Sequence, residues 1–205
     1  MGIGEILGWA GTVTAIILGL PQLIRLARTR NVDGLSLTAW QAFLAVGLGW
    51  TAHGISIGQP PQVVASALSL ASTVPILYLV SRHLRRNFAL TLLPGLALAA
   101  IMITVDQLFG SAAYGAIAII PAVIANAGQS VALVRSAHVG GVSPFFLALA
   151  VLNQLLWLAW AIIVVDLGTI IAATTTGIIA LFNLIWYIAR RLGVPAHSAT
   201  SHANR

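Results

Sequence analysis

Seven mostly apolar stretches, each close to the length of a bilayer span, dominate this chain. They run near Ile6–Ile24, Leu37–Ile57, Val63–Val80, Leu90–Phe109, Ala113–Val134, Phe145–Val165 and Thr169–Ile188. About 30 Å of hydrocarbon is crossed at about 1.5 Å per helical residue, so about 20 residues suffice for each crossing. Turn or charge signals separate the stretches: Gly34, Gln59-Pro60-Pro61, the cluster from Arg82 to Asn87, Gly110-Ser111, Gly140-Gly141 and Asp166-Leu167-Gly168. Of the 205 residues, 7% are charged and 59% hydrophobic. Soluble domains carry about 25% and about 45–50%, so a water-soluble globule is excluded. The first stretch begins with Glu5 and no basic segment, so it is expected to be a span and not a secretory signal. Residues 194–205 are small and polar and are expected to form a disordered tail.

The charges orient the spans. There is no lysine, and all ten positive charges are arginine. Arg25, Arg28 and Arg30 lie between stretches one and two, Arg82, Arg85 and Arg86 between three and four, Arg135 between five and six, and Arg190 and Arg191 after seven. With seven crossings, all of these fall on one side, while Glu5, Asp106 and Asp166 fall on the other. The positive-inside rule then places the N-terminus outside and the C-terminus in the cytoplasm of a multi-pass plasma-membrane protein. The net charge of +6 is therefore a topology signal, and no nucleic-acid partner is expected. Without cysteine there is no disulfide, thiolate metal site or cysteine nucleophile. No Ser-His-Asp set, phosphate-cradling glycine loop or metal-spaced carboxylate pair appears, so neither enzyme activity nor a cofactor is expected.

The first three stretches and the last three are copies. One offset of 107 residues pairs Gln22 with Gln129, Leu26 with Leu133, Arg28 with Arg135, Val32 with Val139, Gly34 with Gly141, Ser36 with Ser143, Trp50 with Trp157, Ala52 with Ala159 and Ala65 with Ala172. A three-helix unit ends on the side opposite to its start, so a second copy needs one extra crossing to recover the same orientation. The fourth stretch supplies it. The expected fold is an all-α membrane protein of seven transmembrane helices, with two parallel triple-helix bundles (3–82 and 113–191) joined by a linker helix (87–110). Polar residues within the spans argue against a bare scaffold, because they are expensive in lipid unless they face a partner or a cavity.

Leu20-Pro21-Gln22, followed by Arg25, Arg28, Gly34, Leu35 and Ser36, resembles the PQ-loop signature; the second copy reads Gly128-Gln129, Arg135 and Gly140-Gly141-Val142-Ser143-Pro144. With the 3+1+3 layout, the chain resembles a SWEET-type sugar transporter of the PQ-loop superfamily from Ile6 to about Arg191. The resemblance implies alternating-access uniport of a mono- or disaccharide, with a small solute and the lipid bilayer as partners and homo-oligomerisation open. Pro21 lacks an N–H and frees a carbonyl one turn earlier. With Gln22, Gln129 and Pro144 it is a candidate inner-gate hinge, the other reading of Pro21 being a helix terminator. Gly128 stands where the second copy would carry its proline.

The resemblance also implies a sugar-facing tryptophan on the second helix of each bundle and an asparagine sixteen residues later. Trp50 and Trp157 match the tryptophan, but the later positions are Ser66 and Ala173, followed by Thr174, Thr175 and Thr176. An indole face stacks on the C–H face of a pyranose, and hydroxyls or amides bond its hydroxyl groups. A tryptophan can also belong to the interfacial belt, though these two lie well inside their spans. Asn126, Asn153 and Asn183 are further wall candidates, with Gln41 and Gln154; each can equally be interhelical hydrogen-bond glue. Three residues after the tryptophans stand His53 and Trp160, and nine after stand Gln59 and Asp166, matching the family's outer-gate positions. Histidine in one copy and aspartate in the other predict a meeting of His53 and Asp166 when the outer gate closes, the other reading of His53 being an interfacial side chain. Two rivals share the PQ-loop: a proton-coupled amino-acid exporter of the cystinosin type, and a peptide-binding receptor like the KDEL receptor.

Overall fold

The computed structural model describes residues 2–29, 35–135 and 142–195, without the side chains of residues 22, 23, 25–27, 127–129 and 132. The expected tail from 196 on, Gly34, Gly140 and Gly141 lie outside the described residues. Seven helices make up the described chain: α1 (Ile3–Thr29), α2 (Leu37–Ser56), α3 (Pro60–His83), α4 (Phe88–Phe109), α5 (Ser111–Arg135), α6 (Pro144–Val164) and α7 (Leu167–Arg191). Helix is the only form in which one apolar segment satisfies its own backbone in lipid. Several helices extend past the apolar stretch that predicts them. α1 and α7 continue into Arg28, Arg190 and Arg191, where cations favour the negative end of the helix dipole.

Among the described residues five helices are long and apolar enough to cross a membrane: α3, α4, α6 and α7 whole, and α1 over Ile3–Pro21. Large side chains such as Leu90, Phe145, Leu155, Ile178 and Ile185 point outward, which only a lipid solvent tolerates in such number. The chain is a multi-pass α-helical membrane protein. α2 is diluted by Gln41, Trp50, Thr51 and His53, and these polar groups are carried between neighbouring helices instead of toward lipid.

Matched positions of the two copies perform matched structural tasks. Ser36 and Ser143 cap α2 and α6, accepting from the N–H of Ala39 (3.2 Å) and of Phe146 (3.3 Å). Gln59 and Asp166 are the N-caps of α3 and α7, and their N–H groups close the preceding turns on the carbonyls of Gly54 (2.8 Å) and Ala161 (2.9 Å). The residue before each has a left-handed backbone: Gly58 (φ 66°) and its mate Val165 (φ 58°). A β-branched residue is strained there where glycine is not.

Helix order in space differs from order in sequence. α3 packs against both α1 and α2, and α7 against both α5 and α6, while among the described residues α1 does not touch α2. α1 also meets α6, α2 meets α5, and α4 fills the angle between α2 and α5. The α5–α7 approach is backbone to backbone: a Cβ on Gly115 would stand 2.5 Å from the carbonyl oxygen of Gly168. The matched approach of α1 to α3 brings Gly8 against the Pro61 ring.

Candidate functional site

Where the two copies meet, a cavity of about 300 Å³ opens between α1, α2, α3, α5, α6 and α7. Sixteen of its twenty lining residues fall into eight pairs related by the repeat offset, including Trp50 with Trp157, Gln62 with Thr169, Ser66 with Ala173 and Ser69 with Thr176. Equivalent faces of the two copies therefore look at each other across one space. None of the described lining residues is charged.

Of the residues singled out from sequence, Trp50, Ser66, Trp157, Ala173, Asn126 and Asn153 stand in this wall. Asn153 spends both amide protons on α1, donating to the Gly11 carbonyl (2.9 Å) and the Thr14 hydroxyl (2.7 Å), which leaves its oxygen as the available group. Asn126 donates to the Ala122 carbonyl one turn back (2.7 Å). Gln154 accepts from Thr176 (2.8 Å), so its amide protons stay available to the cavity. Two candidates are elsewhere. Thr174 is exposed, because one residue is about 100° of helix rotation from Ala173. Asn183 accepts from Ser130 (2.8 Å) and ties α7 to α5 outside the wall. Gln62 and Thr169 were not anticipated, although the repeat offset would have paired them once Trp50 was placed.

At the end where α2 turns into α3, a buried polar cluster touches two residues of the wall, Trp50 through His53 and Thr169 through Asp166. His53 is 0% exposed; its Nδ1 lies 2.9 Å from Asp106 Oδ2 and its Nε2 3.2 Å from Asp166 Oδ1. The expected meeting of His53 and Asp166 is thus present, with a third member contributed by α4. Asp106 carries no signal beyond being an acid in an apolar helix, since α4 has no repeat mate. Ser56 donates weakly to Asp106 (3.3 Å), whereas Asp166 accepts from the Ser111 hydroxyl and from the N–H groups of Gly168 (3.1 Å) and Thr169 (3.2 Å). Burial alone would raise the Asp166 pKa, but the bonds from His53 and Ser111, helped by the adjacent Thr169 side chain, reverse this and hold it below the usual carboxylate range.

The ring of His53 stacks on Tyr114 (4.6 Å between centroids) and meets the edge of Trp50 (5.6 Å). Trp160, the mate of His53, is buried and sits edge-on to Trp157 (5.3 Å). Gln59 caps α3 without a side-chain bond. The carboxylates flank the imidazole on its two nitrogens and do not converge on a point, and among the described residues no His, Cys, Asp or Glu group is arranged for a metal.

At the opposite end, α1 runs unbroken through Pro21 to Thr29, so this proline does not terminate the helix. Pro144 occupies the first turn of α6, where its missing N–H is harmless. Gln22 and Gln129 lie in α1 and α5, with side chains outside the described ones.

Residues 3–63 match the family model of the PQ loop repeat. A sugar transporter SemiSWEET of Escherichia coli (strain UMEA 3162-1) is 30% identical over 67 residues, which make up 33% of this chain and 75% of that relative.

Proposed function

The chain belongs to the PQ-loop family, of SWEET type, and from that premise we propose that it is a facilitative transporter carrying a small sugar-like solute by alternating access. The observation that carries this reading is the cavity wall: repeat-paired residues surround one uncharged space with a tryptophan from each copy facing it. Helices α1–α3 and α5–α7 act as two parallel bundles (3–82 and 113–191), α4 (within 87–110) restores the orientation of the second, and all seven cross the plasma membrane with the N-terminus outside. His53, Asp166, Gln59 and Trp160 close the outer end; Pro21, Gln22, Gln129 and Pro144 work the inner one. Gating between the ends is the step expected to set turnover. No chemistry on the solute is required.

Counterflow in proteoliposomes with labelled hexose, pentose, disaccharide and alanine tests the reading. A sugar should exchange, and Trp50→Ala or Trp157→Ala should abolish exchange while the protein still folds and inserts. Normal exchange by both variants would remove the tryptophans from the pathway.

One observation favours a second reading. Asp106, His53 and Asp166 are titratable groups buried beside the cavity, which suits a proton-coupled amino-acid exporter of the cystinosin type. Alanine exchange driven by an imposed pH gradient would select it. The arginines whose side chains are described stay at helix ends, which leaves a KDEL-receptor-like peptide site without its basic interior.

A further inference from the structure

We propose that Gln62 and Thr169 are the polar contacts to the solute, and that its hydroxyl groups supply the hydrogen-bond partners these two side chains lack. The inference rests on the transport reading above and names the substrate class of the same site.

Ser66 and Ala173 are poor in donors at the positions where the resemblance places asparagines. Four residues earlier on the same helices, and therefore one turn along the same face, stand Gln62 on α3 and Thr169 on α7. They are repeat mates, they both line the cavity, and they are 4% and 5% exposed. The Gln62 carboxamide oxygen and the Thr169 hydroxyl are buried and make no hydrogen bond of good geometry; among the described residues the Tyr114 hydroxyl, outside the wall, is the third such side-chain atom. Such orphans are rare in folded proteins and call for an explanation.

The case of Thr169 is sharpened by its neighbours. Thr12, Thr51, Thr91 and Thr175 each donate to the carbonyl four residues back. Thr169 cannot, because it lies in the first turn of α7, and the residue four back is Val165 in the left-handed turn. Its hydroxyl borders the Asp166 carboxylate, which already accepts from Ser111 and from two backbone N–H groups, and it makes no hydrogen bond of good geometry there, so it can turn to the cavity. A carboxamide and a hydroxyl both donate and accept, which suits the hydroxyl groups of a neutral polyol. A zwitterion would ask for charged partners, and the described lining residues include none.

Position adds a second consequence. The Thr169 N–H bonds Asp166, so this polar pair sits one turn beneath the cluster that shuts the outer end. A solute held here stabilises the outer-closed arrangement, in which both orphans are sealed from water, more than the open one. A ligand shifts a conformational equilibrium only through such a difference.

The test uses the full chain in proteoliposomes, with labelled D-glucose, xylose, sucrose and alanine as probes and monodeoxyglucoses as competitors. Thr169→Val and Gln62→Leu should unfold no earlier than the wild type, because each replaces an unpartnered polar group by an apolar one of similar shape. Both should raise KM for the carried sugar about tenfold or more, with the maximal rate changed less, and Thr169→Ser should restore it. One monodeoxyglucose should compete poorly against the wild type yet lose nothing further against Thr169→Val. If sugars are carried and the variants keep the wild-type KM and the wild-type deoxy pattern, the assignment to Gln62 and Thr169 is overturned while the transport reading stands. If alanine alone is carried, or none of the probes, the transport reading falls and takes the assignment with it.

Discussion

Replacing His53 by leucine would strip the partner from two buried carboxylates at once. The imidazole stands 2.9 Å from Asp106 and 3.2 Å from Asp166, and the three side chains are 0%, 6% and 3% exposed. Removing one partner of a buried ionic network costs about 3–5 kcal/mol, because an uncompensated charge remains. The two acids would not suffer equally. Asp166 keeps Ser111 and two backbone N–H donors, whereas among the described residues Asp106 keeps only Ser56 at 3.3 Å. Most of the penalty therefore sits on Asp106, and neutralising that residue should change sign with background. In the wild type, Asp106→Asn loses a charge-assisted bond and should destabilise by about 1.5–3 kcal/mol. In His53→Leu, the same change removes a bare charge and should recover at least about 2 kcal/mol of the loss. Asp166→Asn in His53→Leu should recover much less, because it also weakens the α7 cap. Equilibrium unfolding of the purified variants in detergent gives all the required differences as a double-mutant cycle. If Asp106→Asn has the same effect in both backgrounds to within about 0.5 kcal/mol, the imidazole does not balance Asp106 and the argument is wrong.

Three further outcomes follow from local geometry. Asp166 has its pKa lowered on folding, so its stabilisation is complete above its unfolded value of about 3.9 and fades as pH falls through the folded one. The stability gap between wild type and Asp166→Asn should hold from pH 7 to about pH 5 and narrow below about pH 4, and a gap unchanged at acid pH would contradict the bonding described. Val165 adopts φ 58° on an exposed turn, so Val165→Gly should stabilise by about 0.5–1 kcal/mol in thermal unfolding; a loss would mean that the turn is not strained. Gly115→Ala drives a methyl into the Gly168 backbone, whereas Gly19→Ala meets nothing within 4 Å. The first should destabilise by about 1–3 kcal/mol and the second stabilise by about 0.5–1 kcal/mol; similar values for both would refute the close approach of α5 and α7.

The helices, their ends and the repeat were legible in the residues because each is a local property. Apolar length, cap chemistry and punctuation all act within one segment. Ser36 and Ser143 announce helix starts, and the turn before Asp166 mirrors the turn before Gln59. Even the long-range meeting of His53 with Asp166 could be reached, since the copies repeat in register and equivalent positions tend to face each other. What the chain order did not reveal was adjacency. α3 lies between α1 and α2, and lipid, being as apolar as the helix interfaces, leaves no strong apolar stripe to mark the buried face.

Asp106 joined His53 only because α4 packs against α2, and a helix without a repeat mate offers no offset to place it. Asn183 reads like a wall residue and serves instead as a tie to Ser130. Whether a polar side chain inside a span is glue or a contact to solute depends on whether a partner stands within about 3 Å. Segment pattern settled the helices and their copies by itself. The partners of each buried polar group, and so the leftover groups on Gln62 and Thr169, were decided by tertiary packing, because a hydrogen bond needs two groups brought together from helices far apart in sequence.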